Sequence, residues 1–285
     1  MHPVFRLLIV VTIPVLAACA DTPNESTTRG GVLTTNRITA NRITANRITA
    51  NRITANRITA NRITADRISV AHAADELLAT EDGRELFSVL VSCAIPETIT
   101  LVANVEGTEF EFPGEIGLAR DWLYHALDRE GQGWVSACLF ARVNAHDVAL
   151  PISIRGPDHA LATDRDEREA FSLEEGAFYG NLFEPLDQPI LWIACRGADQ
   201  AAGETGGLVD RDCAEPDPAQ PGLTQCGFFF AGDCASFQPG GGAACERFSD
   251  HGEFYERCHA APIEDARQHE HGQVFREVIT SYVPL

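Results

Sequence analysis

Lysine is absent from the 285 residues, and all 22 basic side chains are arginine. Without a lysine amine the chain cannot build a P-loop phosphate site, a Schiff base, a pyridoxal phosphate linkage or a Ser-Lys dyad. Positive charge is scarce altogether: 41 acidic residues leave a net charge of −19. That balance excludes nucleic acid as a partner held by phosphate neutralisation. No C-x-x-C pair occurs among the nine cysteines, which removes the spacing of a zinc ribbon or a thioredoxin-like centre. The G-x-S-x-G elbow is missing, and no cysteine sits in a papain-type or caspase-type context. What is present in quantity is apolar sequence, 45% of the chain, so a wholly disordered protein is excluded too.

Arg6 precedes the apolar run Leu7 to Leu16, LLIVVTIPVL. This run is too short, and interrupted by Pro14, to remain in a bilayer as a spanning helix, and residues 1–18 are expected to be a signal peptide. Leu16-Ala17-Ala18-Cys19 matches the lipobox of bacterial lipoproteins, which predicts lipidation of Cys19. The alternative is an ordinary signal peptide cleaved near Ala18. Ala20 rather than Asp follows the cysteine, which in a two-membrane cell directs a lipoprotein to the outer membrane. The expected location is extracytoplasmic and membrane-anchored, at the outer membrane or cell surface, with the membrane as a partner through the N-terminal lipid.

Residues 19–30 are small and polar, a lipidated tether. From Asn36 the unit Asn-Arg-Ile-Thr-Ala repeats six times to Ala65, flanked by decayed copies at 31–35 and 66–70. An isoleucine every fifth residue advances about 140° per unit on a helix and alternates faces on a flat strand, so neither builds an apolar stripe. Period five suits a square β-solenoid, and the array weakly resembles pentapeptide-repeat proteins through pairs such as Ala40-Asn41. It departs from them at Arg42, where their pattern has an inward Leu. The other reading is a low-complexity spacer, which fully extended would reach on the order of 130 Å. Residues 31–70 are expected to be a stalk and 71–285 an acidic head. The charge divides at the same place, with nine Arg and three acids in 1–70 against thirteen Arg and 38 acids beyond.

Setting Cys19 aside leaves eight cysteines: Cys93, Cys138, Cys195, Cys213, Cys226, Cys234, Cys245 and Cys258. An even number in an oxidising compartment predicts four disulfides. Cys93 is expected to pair with Cys138, because the other six crowd into 195–258 and can satisfy one another. The fold class is expected to be α+β: a single disulfide-rich head with two helices against an antiparallel sheet and long stapled loops. Leu86, Phe87, Leu90 and Val91 share one face of a helix over 84–93, and Trp134, Cys138 and Ala141 one side of a second over 132–143. Thr98 to Val105, Glu106-Gly107 and Phe110 to Phe112 carry a hairpin signature. Strands are expected over 148–154 and 189–194, and an edge or closing strand over 273–283. The acidic stretch 164–175 reads as solvated surface.

Metal-capable residues are densest late in the chain, where His259, His269 and His271 are candidate ligands for zinc or copper. Asp164, Asp166 and Glu169, and Asp210, Asp212, Glu215 and Asp217, have the oxygen density of calcium sites without an EF-hand's spacing. Solvated loops are the preferred reading of both sets, with calcium, zinc or copper as the alternative, and no cofactor is expected. No catalytic residue can be nominated, because 38 head carboxylates give no distinct acid/base pair. Trp122, Trp134, Trp192 and the run Phe228 to Phe230 could form a sugar-stacking or protein-binding surface, or fill a core.

The segments Glu85 to Cys93, Trp134 to Cys138, Asp210 to Cys213 and Cys258-His259 resemble the head of a group of cysteine-rich bacterial surface lipoproteins. No activity comes with that group, so the resemblance implies location and disulfides but no catalytic residues. The expected function is a lipid-anchored cell-surface protein with a non-enzymatic binding or structural head for a cell-surface protein or glycan ligand. An extracytoplasmic hydrolase, with or without a metal, and a metal-binding surface protein are the alternatives.

Overall fold

The computed structural model describes residues 75–144, 150–183, 191–199, 228–235, 242–248, 253–263 and 273–284, with Thr224, Cys226 and four short backbone stretches between 32 and 70. Cys19, Cys213, His269 and His271 lie outside the described residues, as do Asp210, Asp212, Glu215 and Asp217. The fold is mixed α+β, with few helices and mainly antiparallel sheets.

Helix α1 (Asp75–Leu78) leads into α2 (Glu81–Ala94). Thr80 caps α2 by accepting a hydrogen bond from the Gly83 amide at 3.0 Å, and Glu81 and Asp82 in the first turn favour the positive end of the helix dipole. Gly83 is obligatory, because a Cβ there would lie 1.9 Å from the Leu77 carbonyl oxygen. Leu86, Phe87, Leu90 and Val91 are all buried, as their spacing predicted. Strands β5 (Thr100–Val105) and β6 (Thr108–Pro113) form the expected hairpin. Its turn places Glu106 and Gly107 both at positive φ, the left-handed pair that a two-residue hairpin loop requires.

The second long helix, α3 (Arg129–Ala141), starts three residues before the expected boundary because Asp128 accepts a hydrogen bond from the Gly131 amide at 2.8 Å. Every residue from Gly133 to Ala141 is buried. Beyond its first turn the helix therefore has no solvent-facing side, and the apolar side read from Trp134, Cys138 and Ala141 was only part of it. It runs between α2 and the main sheet, and the Cys93–Cys138 disulfide staples the two helices as expected.

Short helix α4 (Arg165–Ala170) and strands β8 (Leu150–Arg155), β9 (Leu173–Asn181), β10 (Leu191–Arg196), β11 (Phe229–Asp233), β12 (Ala243–Phe248), β13 (Tyr255–Ile263), β14 (Val274–Phe275) and β15 (Ile279–Val283) follow, with β7 (Val143–Asn144) between α3 and β8. The backbone stretches of the repeat region are β1 (Val32–Asn36), β2 (Ile38–Thr39), β3 (Ala60–Arg62) and β4 (Arg67–Val70). The main sheet has the order β1-β8-β15-β9-β10-β11, antiparallel except for the parallel β10–β11 pair. A four-stranded sheet, β3-β4-β5-β6, a three-stranded sheet, β12-β13-β14, and the two-stranded parallel pair β2-β7 complete the set.

The main sheet is covered on both faces. Along β9 and β10, Phe178, Trp192 and Ala194 join the core beneath the helices, while Ala177, Tyr179, Ile193 and Cys195 join a second core with β11, β12 and β13. This is the period-two alternation of a strand with apolar material on each side. The chain end carries strands where an edge or closing strand was expected over 273–283, with β14 at the edge of the three-stranded sheet. It splits into β14 and β15, and β15 lies inside the sheet between β8 and β9. Among the described residues no helix is long and apolar enough to cross a membrane.

Candidate functional site

The last turn of α2 positions a cleft. The carbonyls of Ser92, Cys93 and Ala94, and of Ile95 just after them, would be left unpaired by the helix ending before Pro96. They accept instead from the amides of Ile116, Leu118, Ala119 and Glu115, at 2.8 to 3.0 Å. This clamp fixes the chain that enters the 3-10 turn Arg120–Leu123, and the Asp128 cap fixes the start of α3 opposite.

Between the two lies a cavity of about 490 Å³, a size that suits a small ligand. Its floor is apolar: Leu118, Ala119, Trp122, Leu127 and Trp134 are all buried. Its rim is polar and exposed, with Arg120 and His125 beside Asp121, Asp128 and Glu130. Asp128 is committed to capping α3, so Asp121 and Glu130 are the carboxylates that stand ready for a ligand. Two of the three tryptophans meet here, while Trp192 is buried against Phe140, ring centroids 5.3 Å apart.

A second group of polar side chains is buried on the main sheet, and it corrects the reading of 164–175 as solvated surface at three acids, while Arg165, Asp166, Glu169 and Ser172 are exposed as expected. Glu167 on α4 and Glu174 and Glu175 on β9 are all buried. Asp164 caps α4 by accepting from the Glu167 amide at 2.8 Å, and the exposed Glu169 pairs with Arg165, so these two are committed to the helix. Glu174 accepts from the Tyr255 hydroxyl at 2.7 Å and from the Ala198 amide at 3.2 Å. Arg155 donates to the Phe171 carbonyl and the Ser153 hydroxyl, and its guanidinium lies 3.7 Å from the centre of the Tyr282 ring.

Burial pushes the Glu174 carboxyl above the usual range, opposed by the Tyr255 and Ala198 hydrogen bonds. It pushes the Tyr255 hydroxyl up as well, with Glu174 adding to the effect. Glu167 is raised by burial, against the pull of Ser153 and Arg155, and neither of its carboxyl oxygens reaches hydrogen-bond geometry. α4 and β9 bring this group together with β8, β13 and β15, which lie far apart in the chain. The nearest sequence signal was apolar Ala177 to Tyr179 directly after the acids.

A carboxyl with a raised folded pKa holds its proton more tightly in the fold than in the open chain. Stability therefore falls as pH rises from the ordinary carboxylate value through the raised one, and the deficit is complete above it. The variant Glu167→Gln removes that ionisation. In urea denaturation it should match the parent below pH 4.5 and gain stability over it progressively as pH rises, to a plateau. A difference that stays flat across pH would show that Glu167 is not the source.

The cysteines are brought together as disulfides: Cys93–Cys138, Cys195–Cys234 and Cys245–Cys258, with Cys226 also disulfide-bonded. His259 is buried, its Nε2 3.4 Å from a Glu246 carboxylate oxygen and its own carbonyl accepting from the Tyr179 hydroxyl at 2.6 Å. Among the described residues the one group of three or more metal-capable side chains is Cys195, Cys245 and Cys258, all engaged in disulfides. The aromatic run divides: Phe228 is fully buried, whereas Phe229 and Phe230 on edge strand β11 are 42% and 43% exposed. No known protein family, curated protein or solved structure matches the chain.

Proposed function

We propose that this is a lipid-anchored extracytoplasmic binding protein, held at the outer membrane or cell surface through Cys19. Its head presents the Trp122–Trp134 cleft to a glycan-type ligand. The observation that carries the reading is the cleft's make-up, an apolar floor containing two indoles within an exposed rim of carboxylates, an arginine and a histidine. The C–H faces of a sugar rest on an apolar floor, and its hydroxyls bond to carboxylates and guanidinium, so one pocket of this make-up serves both. The lipobox and the resemblance to surface lipoproteins support the location.

Hydrolysis is the second reading, and it requires a carboxyl of raised pKa facing the substrate. Glu167 and Glu174 have that property, but neither lines the cleft. Metal capture by His259 with His269 and His271 would need those three to converge. In the described part, His259 faces Glu246.

A glycan array, followed by titration of tryptophan fluorescence with each hit, tests the proposal. Asp121→Ala with Glu130→Ala should weaken binding at least roughly tenfold, about 1.4 kcal/mol, and cost the fold no more than about 1 kcal/mol, because both side chains are on the exposed rim and Glu130 loses only its place in the first turn of α3. In parallel, Cys19→Ala should release the protein from the membrane fraction. A folded protein that binds no glycan, or binds one with full affinity in the double variant, would overturn the assignment of the cleft.

A further inference from the structure

Two of the disulfides touch. Cys195 lies on β10 and bonds Cys234 beyond β11, while Cys245 on β12 bonds Cys258 on β13, directly across the ladder with Cα atoms 3.9 Å apart. The Sγ atoms of Cys195 and Cys245, from different bonds, are 3.5 Å apart, and those of Cys195, Cys245 and Cys258 all lie within 4.8 Å of one another. The backbone holds them there. The Cys234 amide donates to the Arg196 carbonyl and the Cys245 amide to the Cys234 carbonyl, each at 2.8 Å. All four cysteines are buried in the second core, whose neighbours include Tyr179, Ile193 and Tyr255.

We propose that Cys195, Cys234, Cys245 and Cys258 form a redox centre that takes two electrons from a dithiol donor and relays the opening from one disulfide to the other. The first donor thiolate attacks Cys245 Sγ, on the one residue of the four with any accessible surface, 4%, and expels the Cys258 thiolate, which takes a proton lost by the donor. The donor's second thiolate closes on the first sulfur, leaves as a cyclic disulfide and frees the Cys245 thiolate. That thiolate, already against Cys195 Sγ, attacks it. The Cys195–Cys245 bond forms, the Cys195–Cys234 bond breaks, and Cys234 departs as a thiolate that takes a proton. One disulfide is consumed, one donor dithiol is oxidised, and the reduced pair ends as Cys234 and Cys258. Exchange requires a thiolate placed against a disulfide sulfur, and here the fold supplies the placement that would otherwise depend on collision.

The purified, oxidised full chain is treated with one equivalent of dithiothreitol, quenched with iodoacetamide and mapped by peptide mass spectrometry. The expected product carries label on Cys234 and Cys258 and a Cys195–Cys245 linkage, with Cys93–Cys138 intact as the sign that the fold has not opened. Cys258→Ser supplies a second measurement without reductant. Its unpaired Cys245 should displace Cys234 within the seconds to hours of thiol exchange, so that label appears on Cys234. Label confined to Cys245 and Cys258 in the natural chain, with Cys195–Cys234 intact, would overturn the relay. So would label confined to Cys245 in the variant, or the absence of any partly reduced species that keeps Cys93–Cys138.

Discussion

Replacing Cys93 and Cys138 together by alanine should lower the melting temperature of the oxidised protein by roughly 10 °C. The two residues are 45 apart in sequence and join α2 to α3 at positions with no exposed surface. Chain-entropy estimates give about 3 kcal/mol for closing a 15-residue loop and about 4.7 for 100 residues, so a loop of this size is worth about 4 kcal/mol. For a folded unit of 150–250 residues each kcal/mol moves the midpoint by about 2–4 °C. Alanine in both places avoids leaving a free thiol or a buried hydroxyl, so the loss reports the missing staple and two small voids. Differential scanning calorimetry without reductant measures it. A shift below about 3 °C would mean that the surrounding apolar contacts of α2 and α3 hold the helices without the bond.

The second large effect separates three adjacent phenylalanines. Phe228→Ala should cost about 3–5 kcal/mol, the range for deleting a buried aromatic ring. Phe229→Ala and Phe230→Ala should each stay within about 0.5 kcal/mol, as exposed substitutions do. Phe228 is fully buried between α3 and the main sheet, its ring 5.6 Å from that of Phe178 and 6.0 Å from that of Phe140. Phe229 and Phe230 leave the same short segment for the solvent-facing edge strand β11. Urea midpoints of the three variants test the division directly. Equal losses at all three positions would show that the edge strand is covered in solution.

Much of the local structure was readable because its causes lie within a few residues. The buried face of α2 follows from a 3.6-residue period, and the β5–β6 hairpin from alternation around Glu106-Gly107. The Cys93–Cys138 pair followed from the crowding of the other six cysteines at the far end. Misreadings arose where a residue's surroundings come from elsewhere in the chain. Glu167, Glu174 and Glu175 look like solvated surface in an acidic run, yet all three are buried, Glu174 against the Tyr255 hydroxyl of β13. The strand at 279–283 looks like a chain end, yet it fills the gap between β8 and β9.

The candidate cleft was half legible. Trp122 and Trp134 stood out as two of three tryptophans, but core burial accounted for them equally well. Their meeting across a cavity depends on the carbonyls at the end of α2 capturing the amides at 115–119. Helix caps, turn conformation, the lysine-free charge balance and the even cysteine count were determined by the sequence alone, since each depends on neighbouring residues or on composition. Only the tertiary structure decided which carboxylates lose their water, which of three phenylalanines is buried and which disulfides touch. Those outcomes depend on strands remote in sequence sharing one sheet, where burial on two faces depends on what is packed above and below.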